Sequence, residues 1–148
     1  MIGGASVSSN KIPKGMSYKV KINGWEPCHT VSIKSPLFDD PGYYESSSLK
    51  LYGNLINPEN SSIKQAEIAF IEDRIGLHSA KRKPIDSVGE VLFNKEKNIL
   101  EFTFFISSDF FSKVLLSMNS DRIDGFLAYG EKLNHNYASV FEFRLKPI

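Results

Sequence analysis

Cys28 stands beside His29, and a thiol next to an imidazole is the pair from which a thiolate nucleophile is made. On an extended chain, successive side chains point to opposite faces, so the two do not meet. They read as an ordinary cysteine and an ordinary histidine. Ser-x-x-Lys spacing occurs at Ser8/Lys11, Ser47/Lys50 and Ser61/Lys64, without the companion motifs of the enzymes that use it, and no G-x-S-x-G elbow is present. His29, His78 and His135 are scattered, with no H-x-x-x-H and no second cysteine, so no zinc-type spacing exists. Asp39, Asp40 and Glu45 could offer oxygen to calcium, but they lack EF-hand spacing and read as a turn. Neither a metal nor a cofactor is expected.

Two further patterns could carry function. Glycoside hydrolysis needs two carboxylates about 5–10 Å apart. Glu67, Glu90, Glu101 and Glu142 all fall on the polar sides of strand-like runs, which is also what a solvated sheet face looks like. The second pattern is aromatic. Trp25, Tyr43 and Tyr44 lie at strand ends or in a Pro-Gly loop, while Tyr52, Phe105 and Phe126 lie opposite the apolar faces of their strands. Exposed aromatics suit a sugar ring, a peptide or a second subunit. The basic run Lys81, Arg82 and Lys83 is the strongest positive patch. It does not amount to a nucleic-acid surface, because 18 basic residues are balanced by 17 acidic ones and no recognition helix is evident. Charge is segmented: residues 1–34 hold five lysines against Glu26, and residues 35–80 carry an acidic excess.

The elements that must position these residues read as strands. Tyr18, Val20 and Ile22 alternate with Lys19, Lys21 and Asn23. A brief repeat covers Thr30 to Lys34, and residues 35–48 read as a loop by their turn chemistry. Residues 48–56 and 63–73 form a hairpin, with Gly53 marking a bulge or a close backbone approach. Residues 87–94 and 98–106 form a second hairpin around Lys95-Glu96-Lys97, with Leu100, Phe102, Phe104 and Ile106 on one face. Phe110, Phe111, Val114, Leu115 and Met118 then change the period to that of a short helix over 108–118, capped by Ser107 or Ser108. Two final strands, 122–130 and 137–146, follow, the last with Tyr137, Ser139, Phe141, Phe143 and Leu145 on one face.

About eight strands and one helix, with no β-α-β alternation, predict an all-β fold. The expected form is an antiparallel sandwich of immunoglobulin-like or jelly-roll type, with a β-barrel as the alternative. Residues 1–15 read as a flexible arm and 16–148 as one domain. The absence of a signal-like run or an apolar span predicts a cytoplasmic protein with no membrane partner. The function this composition favours is non-enzymatic protein–protein contact or self-association. Carbohydrate or small-ligand binding through Trp25, Tyr43 and Tyr44 is the second reading, and a hydrolase built on strand carboxylates is the third.

Overall fold

A computed structural model describes residues 15–34, 41–73 and 87–148, with the side chains of 32–34 and 41–44 outside that description. Among the described residues, seven strands and one helix run in the order β1 (Gly15–Lys34), β2 (Pro41–Asn57), β3 (Gln65–Glu72), β4 (Gly89–Asn94), β5 (Ile99–Ile106), α1 (Ser108–Asn119), β6 (Gly125–Glu131) and β7 (Tyr137–Lys146). Around the sheet the order is β1-β2-β3-β5-β4-β7-β6, and β6 pairs back onto β1. The fold is therefore the barrel alternative, closed, and two separately packed sheets do not form. Closure depends on three seams between non-consecutive strands that strand rhythm does not reveal: β1–β6, β3–β5 and β4–β7. Each antiparallel seam reverses direction around a ring, so an odd number of strands demands a parallel seam. Here it is β3–β5, with Ile68 opposite Phe102 and Phe70 opposite Phe104.

The barrel interior is filled by side chains. Tyr18, Val20, Leu49, Leu51, Ile68, Phe70, Val91, Phe102, Phe104 and Phe126 are all essentially buried. Their rings interlock: Phe102 meets Phe126 edge-on with centroids 5.0 Å apart, and Phe104 lies 4.4 Å from Phe143. Small residues on neighbouring strands, Ala66, Ala128 and Ala138, leave room for these rings. A packed interior of this kind leaves no ligand channel through the barrel.

Helix α1 forms where the apolar period changes. Ser107 caps it by accepting the Phe110 N–H at 3.2 Å, and Asp109 sits in the positively polarised first turn. Phe111, Val114 and Met118 are its buried face. Strand directions place the end of β5 and the start of β6 at one end of the barrel, so α1 spans that end and covers it.

Three sequence expectations change. Thr30–Lys34 is not a separate strand but the continuation of β1, and the second half of the expected loop, from Pro41 onward, is strand β2. Seven strands result among the described residues, against the expected eight or so. On β7, Ala138 and Val140 are buried while Tyr137 is 44% exposed, the reverse of the expected parity. The cause is a bulge: Tyr129 pairs with Glu142 and Gly130 with Val140, so Phe141 is an extra residue and the inward face resumes at Phe143. Residues 1–14 of the expected arm lie outside the described residues. Among the described residues no helix is long and apolar enough to cross a membrane.

Candidate functional site

Past the barrel rim, β1 and β2 continue together as a two-stranded ribbon. Pairing between β1 and β6 stops at Lys21, and pairing between β2 and β3 starts at Ser48. Beyond those points β1 and β2 pair only with one another among the described strands, down to Lys34 opposite Pro41. Every residue from Glu26 to Val31 is exposed, and Val31 keeps 65% of its surface in solvent. Among the described strands, none pairs with the β1 side of the ribbon from Glu26 to Lys34, whereas the closed barrel leaves no such edge. His29 Nδ1 lies 2.8 Å from the Ser47 hydroxyl across the two strands, and Cys28 Sγ lies 3.9 Å from Thr30 Oγ1. Thiol and imidazole have different neighbours, as alternation along β1 requires.

A second feature lies where β1 leaves β6. Asn23 is a bulge residue, skipped between the Ile22–Gly53 and Gly24–Tyr52 pairs. This bulge turns Trp25 to the inner face, where it is half-buried and packs on the rim of the core. Between this stretch and the chain leading from α1 into β6 lies an open notch of about 430 Å³. Ile22, Trp25, Met118 and Ile123 form its apolar part, and Asn23, Asp121 and Asp124 its polar part. Asp124 is engaged: Oδ2 lies 3.7 Å from Lys21 Nζ, and Oδ1 accepts the Ile148 N–H at 2.7 Å. Asp121 holds a left-handed backbone, φ 56°, in the turn after the helix.

The outer face of β1–β2–β3 holds a polar cluster. The Tyr52 hydroxyl donates a short hydrogen bond to Glu26 Oε1, and Lys50 Nζ lies 3.5 Å from Glu67 Oε1. The bond to Glu26, with lesser contributions from desolvation and the nearby Glu26 and Glu67 charges, pushes the Tyr52 phenol up to about 12. Glu67 is in register with Glu101 across the parallel seam, so two of the four strand carboxylates are neighbours. They stand on the convex outside of the barrel. The recess beside Glu67, about 110 Å³, is lined by Tyr52, Asn54 and Gln65 but not by Glu101. Among the described residues, no three His, Cys, Asp or Glu side chains gather as a metal site.

The aromatic candidates therefore do not converge. Trp25 faces inward at the rim and Tyr52 outward from the neighbouring strand. Tyr44 pairs with Ser32, seven residues along the ribbon from Trp25 or about 23 Å at strand spacing. Tyr43 adjoins it, so Trp25, Tyr43 and Tyr44 do not form one site. The side chains of Tyr43 and Tyr44 lie outside the description. Phe105 faces outward, half-buried and in contact with neighbours. Phe126 is the clear correction: fully buried among Phe102, Phe104 and Phe143, it belongs to the core. Its strand is apolar on both faces, with Leu127 and Tyr129 opposite Phe126 and Ala128, so alternation alone cannot say which face is inner. Lys81, Arg82 and Lys83 lie outside the described residues. Sequence reading missed Asn23, Asp121 and Asp124. An Asn-Gly step inside an alternating run was the available bulge signal for the first; the two aspartates sit in a polar turn with no distinguishing pattern. Compared with known proteins, the chain matches no family model, no curated protein and no solved structure.

Proposed function

We propose that this protein works through protein–protein contact, and that the contact is antiparallel pairing of two copies along the free β1 edge of the ribbon. The observation that carries the reading is this edge, the one long stretch of β1 backbone that no described strand covers. Natural sheets guard such edges with charge, especially lysine. Here Pro27–Ile33 contains no Asp, Glu, Lys or Arg, while Glu26 and Lys34 stand at its two ends. A two-fold pairing centred on Thr30 sets residue 26 of one copy opposite residue 34 of the other, acid against base, and uses the same patch twice, as two-fold dimers do. It also gives main-chain partners to an edge that no described strand pairs with.

Light scattering after size exclusion, over a range of concentrations, tests this. The expected result is a concentration-dependent dimer that Thr30→Lys weakens about tenfold or more, because residue 30 opposes its own copy and the change sets like charges face to face. Thr30 is exposed, so the substitution spares the barrel. A strict monomer overturns the reading, and so does a dimer that Thr30→Lys leaves intact.

A further inference from the structure

The notch at the rim has a composition the ribbon does not explain. Its floor is an indole with Ile22, Met118 and Ile123, and its rim is Asn23, Asp121 and Asp124. We propose that it binds a pyranose ring, with one apolar C–H face of the sugar resting on Trp25 and vicinal hydroxyls meeting Asp121 and Asn23.

The argument is one of matching chemistry. A pyranose presents an apolar face and, at its edge, hydroxyls that both donate and accept. Trp25 is held half-buried by the core beneath it, so its surface is ready-made rather than recruited. Asp121 offers acceptor oxygens and Asn23 offers both an acceptor and donors, the combination a diol needs. Charge separates this ligand from the obvious competitor, an organic cation. Asp124 is already shared between Lys21 at 3.7 Å and the Ile148 N–H at 2.7 Å, which leaves one carboxylate for the ligand. That suits a neutral hydroxylated ring better than a cation, which gains most from charge that has no other partner. Size agrees, since about 430 Å³ holds a sugar ring with solvent beside it. Among the described residues, a Cβ added at Gly24 would meet nothing within 4 Å, which leaves that wall open.

Trp25 is the sole tryptophan of the chain, so its fluorescence reports on this notch and no other place. The protein is titrated with glucose, galactose, mannose and N-acetylglucosamine and their disaccharides, with choline and arginine as cationic probes. Asp121→Gly serves as the variant, because glycine accepts the left-handed backbone at 121 while removing the carboxylate together with its methylene. The expected result is a saturable change with at least one of the sugars, weakened about tenfold in Asp121→Gly. Three results overturn the proposal: no saturable change with any sugar, an equal response in Asp121→Gly, or a response to choline or arginine alone.

Discussion

At the scale of single residues, identity predicted burial well and direction less well. Phe102 stands between Glu101 and Thr103 and shares its parity with Leu100 and Phe104, so that inward face was legible. Phe126 was not, because its neighbours on both faces are apolar. Its new assignment has a measurable consequence. Phe126→Ala should cost about 3–5 kcal/mol in urea unfolding, as expected for an aromatic removed from a packed core. Leu127→Ala, one residue on and half-buried on the outside, should cost about 1 kcal/mol. Equal losses would mean that the two faces of β6 are not distinguished as described. Tyr52 gives a second prediction. Its phenol is pushed up to about 12 chiefly by donating to the Glu26 carboxylate, against an ordinary value near 10. Folding therefore favours the neutral phenol. The stability this supplies is fully present below about pH 10 and is lost as the pH rises toward 12. Ultraviolet titration should show one tyrosine ionising at lower pH in Glu26→Gln than in the native protein. Tyr18, raised by burial, should titrate alike in both. Superimposable curves would remove the Glu26 bond as the cause.

At the scale of elements, hairpins and helix were legible and irregularities were not. The paired parts of the β2–β3 and β4–β5 hairpins and helix α1 follow period and turn chemistry to within about two residues, although β2 itself starts at Pro41 and not at the expected residue 48. The ribbon escaped notice because Pro41–Ser48, PGYYESSS, carries no hydrophobic alternation to mark it as strand. Bulges are equally silent: Phe141 looks like any other strand aromatic until pairing shows that it is supernumerary. Gly53 is the instructive exception. It sits opposite the β1 bulge, and a Cβ there would lie 2.3 Å from the Lys21 carbonyl oxygen and 2.6 Å from Val20 Cγ1. Both strands would have to part, so Gly53→Ala should destabilise the protein by about 1–3 kcal/mol, read as a lower urea midpoint at unchanged slope. A neutral effect would show that β1 and β2 do not approach so closely.

At the scale of the whole molecule, composition and strand rhythm fixed an all-β chain but not its closure, since closure is a relation between residues far apart. The barrel depends on Gly15–Lys21 meeting Gly125–Glu131, and on β4 meeting β7. No local pattern announces either seam. The same relation sets where the ribbon and the notch arise. A ring with no edges gives the core a fixed shape, and the departure of β1 from that ring creates both the ribbon and the notch beside Trp25. The seam between the first strand and the last two also has a consequence for biosynthesis. A ribosome delivers β1 long before β6 and β7, so the growing chain exists for a time as an open sheet with apolar strands and bare edges at both sides. The ring shuts only when residues up to Lys146 have emerged. Until then the strands that will face inward have no closed ring around them, and the unpaired edges are open to pairing with other chains.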